Sequence, residues 1–252
     1  MINFGAGKLI GIPTNLSDGT AIANPTPVLL GAMQEVSVDL SVDLKTLYGS
    51  QRYPIAVGQG KGKIEIKAKY ADIDAGVLGA LFFGKVATNG IKGVVFDEAK
   101  TVPATPFQVT ITPPNSGTFV ADLGVYDSTT GVQYTRVASA PATGQYAVNT
   151  STGVYTFASA DQGKAIKISH EYTASSTSGK IFNMTNETMG YTPSFSMLLH
   201  NQYDGKNLVM KLNRAVSGKL ALPFKNEDFA IPDFEAEAFA DAAQNIGYIC
   251  LF

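Results

Sequence analysis

Two glycine–lysine clusters are the segments most able to do chemistry: G-Q-G-K-G-K at 58–63 and G-A-G-K at 5–8. A phosphate loop needs G-x-x-x-x-G-K-[ST], so that backbone amides cradle the phosphates while lysine and hydroxyl complete the site. Here Gly62-Lys63 is followed by Ile64, with Val57 where the first glycine belongs, and Gly7-Lys8 fails for the same reason. The glycines at 58–63 are better read as freeing the base of a hairpin. His170 alternates with Ile166, Ile168 and Tyr172, the setting of a packed strand histidine, not a base. His200 stands beside an Asp-Gly turn without a neighbouring carboxylate. Cys250 is the only cysteine, so it makes no internal disulfide and no zinc site by itself. Its run, I-G-Y-I-C-L-F, marks it as a small core residue. Glu235 and Glu237 share one strand face, as on any solvated surface. No G-x-S-x-G elbow, H-E-x-x-H helix or carboxylate-rich calcium loop occurs. The expectation is a protein that is not an enzyme and uses no metal or cofactor; catalysis would require groups that converge from distant positions.

The elements that position these residues are mostly strands. Residues 35–45, E-V-S-V-D-L-S-V-D-L-K, alternate without error. Val36, Val38, Leu40, Val42 and Leu44 take one face, and Glu35, Ser37, Asp39, Ser41, Asp43 and Lys45 the other. In K-G-K-I-E-I-K-A-K-Y, Ile64, Ile66, Ala68 and Tyr70 oppose Lys63, Glu65, Lys67 and Lys69. Two strands with wholly polar faces suit a sheet beside water. Between them, residues 46–60 are long for a hairpin connection and rich in apolar, aromatic and Arg side chains, the composition of protein contacts. A hairpin docking on another subunit is favoured over a folded-back loop.

Residues 1–30, rich in Gly, Pro, Asn and Thr, read as an extended arm or a loose terminus. D-I-D-A-G-V-L-G-A-L-F-F-G predicts a helix over 72–83, capped by Asp72 or Asp74, ending at Gly84, with Ile73, Val77, Ala80 and Leu81 on one face. From about 105 to 175 charges thin out and short strands alternate with turns at 149–153 and 160–163, which predicts a small all-β module. Asp204-Gly205 between apolar runs marks a hairpin. D-F-E-A-E-A-F-A-D and the final I-G-Y-I-C-L-F read as further strands.

Composition bounds the function. The 252 residues are 45% apolar and 16% charged with a net charge of −2, so no basic field exists to grip nucleic acid and a sequence-specific DNA binder is not expected. The start lacks the pattern of a secretory signal, and the longest apolar run, 76–84, falls short of the roughly 20 residues that cross a bilayer. A chain made in a reducing compartment, with no membrane insertion of its own, is expected.

This order of elements, with L-Y-G-S-Q-R-Y-P-I-A-V-G-Q-G-K-G-K-I-E-I-K-A-K and L-P-F-K-N-E-D-F-A-I-P-D-F-E-A-E-A-F-A-D, resembles the tail tube (major tail) proteins of long-tailed bacteriophages. G-Q-Y-A-V and G-V-Y-T-F-A-S-A-D-Q-G-K are similar to modules inserted in phage tail proteins. The resemblance implies a mainly β fold, a tail-tube-like β-barrel or sandwich with one flanking helix and a small inserted all-β module. Residues 1–103 would form the first part of the core, 104–176 the insertion and 177–252 the second part. It implies a virion protein assembled in the host cytoplasm, whose hexameric rings stack into a channel for genome delivery. Its partners would be further copies, sheath, tape-measure and terminator proteins, and DNA that passes without specific binding. Leu47, Tyr48, Arg52, Tyr53, Pro54 and Ile55 become candidate inter-ring contacts, and Glu35, Asp39 and Asp43 candidate lumen residues that repel phosphate. The lysine face of 63–69 either pairs with the acidic strand or faces a neighbouring subunit. A tube or terminator protein of a contractile injection system is the nearest alternative. A carbohydrate-binding β module of a fibre would want aromatic platforms, whereas the chain has no Trp and scattered tyrosines.

Overall fold

A computed structural model describes residues 5–72, 76–187 and 189–252. In chain order the strands are β1 (Lys8–Asn15), β2 (Val28–Leu30), β3 (Met33–Tyr48), β4 (Pro54–Tyr70), β5 (Thr88–Asn89), β6 (Ile91–Thr101), β7 (Gln108–Thr110), β8 (Thr118–Asp127) and β9 (Thr135–Arg136). There follow β10 (Gln145–Asn149), β11 (Val154–Phe157), β12 (Ala165–Ala174), β13 (Lys180–Ile181), β14 (Ser194–Tyr203), β15 (Lys206–Ala221), β16 (Asp233–Phe239) and β17 (Gly247–Leu251). The chain is mainly β, and it divides into two compact units: Met1–Ala87 with Phe182–Phe252, and Thr88–Ile181. The middle unit is wider than the expected 104–176, because β6 pairs along most of β12 and so belongs to the module.

The first unit is built on an eight-stranded antiparallel sheet in the order β2-β1-β14-β15-β16-β4-β3, with β17 joined to the end of β15 that β16 leaves free. Alternation buries one face. Leu9, Ile66, Phe195, Met197, Leu212 and Phe234 form its core, with Phe195 and Phe234 ring centroids 5.9 Å apart. Part of the segment expected to form an arm is strand: β1 lies inside the sheet between β2 and β14. Its Gly and Pro composition hid the alternation that buries Leu9, Gly11 and Pro13.

The helix runs from Val77 to Phe83 and is wound wider than an α-helix, with Gly76 as its N-cap and no capping side chain. Asp72 therefore does not cap it, and Ile73 and Asp74 lie outside the described residues. Val77, Gly79 and Leu81 are its buried positions, so the expected Ala80 gives way to Gly79. A Cβ on Gly79 would sit 1.7 Å from the Phe182 ring, and this close approach explains the glycine inside a helix. Gly84 ends it at φ 58, a left-handed cap.

The second unit packs a four-stranded sheet (β7-β11-β10-β9) and a three-stranded sheet (β6-β12-β8) around one core. Tyr155, Phe157, Val125, Ile166 and Ile168 fill it. Among its buried polar groups is Asp122, whose side chain is 3% exposed and accepts hydrogen bonds from Tyr146 Oη at 2.7 Å, Tyr155 Oη at 2.9 Å and the Gly124 amide at 3.0 Å. Burial pushes both tyrosine hydroxyls well above the usual phenol range, and the carboxylate beside them adds to it.

Candidate functional site: a charged sheet face and a projecting ribbon

In β3 and β4, the strand register decides what each polar face meets. Glu35 stands opposite Lys69, Ser37 opposite Lys67 and Asp39 opposite Glu65. On the next strand Asp233, Glu235 and Glu237 stand opposite Lys69, Lys67 and Glu65. The acidic and lysine-rich runs therefore share one face, and the question left open by the sequence resolves in favour of pairing. Lys69 Nζ lies 2.7 Å from Glu35, and Lys219 Nζ the same distance from Glu235. Lys67 reaches Glu65 at 3.6 Å and Asp39 at 3.9 Å; Lys63 pairs with Glu65 and, at 3.5 Å, with Glu237. These partners act on protonation. The Lys63 hydrogen bond holds the Glu65 carboxyl below the usual range, while Glu65, Glu35 and Glu235 raise Lys63, Lys69 and Lys219 respectively. Each pair is solvated, so water and salt screen it and it adds little to stability. What matters is the charge pattern: Glu35, Asp39, Glu65, Asp233, Glu235 and Glu237 outnumber Lys63, Lys67, Lys69 and Lys219.

Past Ile64 the support from β16 ends. Residues 41–48 and 54–63 continue alone as a two-stranded ribbon of about 26 Å, from the rise per residue of a strand. The expected 46–60 connection is thus mostly strand, and the turn itself occupies only 49–53. The apolar face that half-buries Val36 and Val38 runs on into the ribbon, where no described residue covers it: Val42, Leu44 and Val57 are all exposed, Leu44 to 66%. At the tip Leu47, Tyr48, Arg52, Tyr53, Pro54 and Ile55 are exposed, Tyr53 to 76%. A Cβ at Gly49 would meet Ile55 Cδ1 at 2.3 Å, so Ile55 lies across the turn. Asp43 sits on the ribbon, beyond the paired charges of Glu35 and Asp39.

Cys250 is exposed, contrary to the expectation of a core residue. The sheet ends there: β17 pairs only with β15, and all five of its residues are exposed. His170 is fully buried and stacks on Phe119 at 6.0 Å, as its strand register predicted. Its ring nitrogens have no hydrogen-bond partner, with Glu98 Oε2 3.8 Å from Nδ1, and burial holds its pKa below the ordinary value. Among the described residues no group of three or more His, Cys, Asp or Glu side chains could hold a metal ion.

Sequence reasoning missed the exposed stretch of the apolar stripe, since alternation marks a face without saying where the sheet that covers it stops. Asp122 was missed too, because a lone carboxylate in A-D-L-G carries no sign of the two distant tyrosines that bury it. No protein-family model and no curated protein matches this chain.

Proposed function

We propose that this chain is a structural subunit of a phage-type tail tube, which assembles with copies of itself into stacked rings around a channel. The observation that carries the reading is the ribbon: an apolar, Tyr- and Arg-tipped pair of strands that projects past its own sheet and leaves Val42, Leu44, Leu47 and Val57 exposed among the described residues. An exposed apolar stripe of this kind marks an interaction site, and Tyr and Arg are the residues that most often anchor one. Tyr48, Arg52 and Tyr53 are the anchors on the next ring, and Leu47, Pro54 and Ile55 fill in around them.

The charged face of β3, β4 and β16 suits the channel wall. Lys63, Lys67, Lys69 and Lys219 there already have carboxylate partners, so a passing phosphate must displace a neighbour to bind them, and the carboxylate excess repels it. A duct built this way lets DNA slide, where unpaired lysines would add salt-dependent grip at every phosphate. On this reading Glu35, Asp39 and Asp43 face the lumen.

Negative-stain microscopy of concentrated protein tests the proposal: rings or hollow tubes with six-fold end views are expected. Arg52→Ala with Tyr53→Ala should leave the melting temperature unchanged, since both side chains are exposed, yet abolish stacking. Tubes that form as well from this variant as from the parent would refute the role of the ribbon tip.

A further inference from the structure

The second unit holds a cleft that its own packing does not explain. On β12, Ile166, Ile168 and His170 are fully buried, so Lys167 and Ser169 between them turn to the other face of the sheet. Ser169 stands where the ladder is broken on both sides. Toward β6, the two residues Phe96 and Asp97 fall opposite this single position. Toward β8, Leu123 is the extra residue between Asp122 and Gly124. Two bulges thus flank one strand at one level, and bulges re-aim side chains out of the regular pleat. Both are pinned. The Asp97 amide donates to Ser169 Oγ at 3.1 Å with Asp97 at φ 55, and the Gly124 amide donates to buried Asp122 at 3.0 Å.

The outcome is a cleft of about 450 Å³ with Phe96, Leu123 and Tyr126 as apolar walls and Asp97, Lys167 and Ser169 as polar points. Phe96 is 74% exposed, so its ring face is open to a ligand. Lys167 Nζ lies 3.6 Å from Asp97 Oδ2, which sets a three-proton donor beside a carboxylate acceptor. Asp127, also on the rim, commits Oδ1 to the amides of Thr129 and Thr130.

We propose that this cleft binds a saccharide, one or two neutral or N-acetylated hexose units. A pyranose offers an apolar C–H face and a rim of hydroxyls, each both donor and acceptor. The C–H face lies on Phe96 and Tyr126, and two adjacent hydroxyls bridge the Lys167 ammonium and the Asp97 carboxylate. The volume falls within the range of small-ligand sites. A phosphorylated ligand is disfavoured by Asp97 and Asp127, and a wholly apolar one by the charged pair it would leave desolvated. This site lies in a different unit from the ribbon and stands or falls independently of the tube reading.

The test is saturation-transfer difference NMR on the full chain, which observes the sugar whether the protein is free or assembled. The probes are glucose, galactose, mannose, N-acetylglucosamine and N-acetylgalactosamine with their disaccharides. At least one is expected to give a saturable signal that Phe96→Ala and Asp97→Asn each weaken by about tenfold or more in affinity, while Tyr53→Ala leaves it intact. Asn tolerates the left-handed backbone at position 97, so that variant keeps the bulge. Absence of signal from every sugar, or a signal that survives both cleft variants, overturns the proposal. So does a cleft that proves covered by a second copy, seen as self-association that Phe96→Ala abolishes.

Discussion

Replacing Asp122 with alanine should cost the 88–181 unit much of its stability, through an effect visible in no single contact. The carboxylate is the acceptor for two tyrosine hydroxyls, Tyr146 and Tyr155, which are 3% and 0% exposed. Orphaning a buried donor costs about 1–3 kcal/mol, so the two together set a loss of about 2–6 kcal/mol, with about 3 as a working value if a water enters the vacated space. Arg136, 3.7 Å away and half exposed, adds little. For a unit of this size about 4–8 °C is lost per kcal/mol, so the melting transition should fall by more than about 12 °C. Thermal melts followed by near-ultraviolet circular dichroism report on this unit, whose core is rich in tyrosine. The decisive comparison is the triple variant Asp122→Ala, Tyr146→Phe, Tyr155→Phe. Removing the two tyrosine donors together with their acceptor leaves only the Gly124 amide without its partner, so the triple variant should recover much of the loss. A triple variant no more stable than Asp122→Ala alone would refute the reasoning.

Gly79→Ala should destabilise the sheet unit by about 1–3 kcal/mol, because the new methyl collides with the Phe182 ring; adding Phe182→Ala should make the two changes non-additive by urea denaturation. Phe234→Ala, at the centre of the same core, should cost about 3–5 kcal/mol by the same assay. Because the folded state lowers the pKa of buried His170, the unfolded chain binds its proton first as pH falls. The 88–181 unit should therefore lose stability below about pH 6.5, levelling only beneath the folded-state value, and His170→Phe should flatten that slope in melts between pH 5 and 6.5.

Alternation made β3, β4 and β16 legible residue by residue, because a strand half exposed to water must write its two faces into its sequence. Asp204-Gly205 likewise announced its hairpin, and the tight turn joins β14 to β15 where expected. What failed had physical reasons. β1 lies buried against the helix and carries Gly11 where Leu81 crowds in, so its pattern is broken by packing that no local window contains. β6 looked like part of the first unit because pairing between Ile91 and Ala174 spans a loop of the whole module. Of the candidate site, the ribbon tip and the acidic strand were readable, while the neutralising register with Lys67 and Lys69 was not. Register is a property of two strands, and each sequence run describes only one.

The ribbon also carries a consequence for timing. Two strands without a third are only marginally stable in water, so the distal ribbon is the part of the sheet that opens at least cost. Ordering it on a neighbour consumes binding energy before any net gain appears. If copies dock through this ribbon as proposed, two chains meeting in solution would hold each other weakly, while a chain meeting a surface that already presents several ordered neighbours would be captured. Growth from a seed would then outrun spontaneous initiation, and polymer length would depend on how many seeds are supplied.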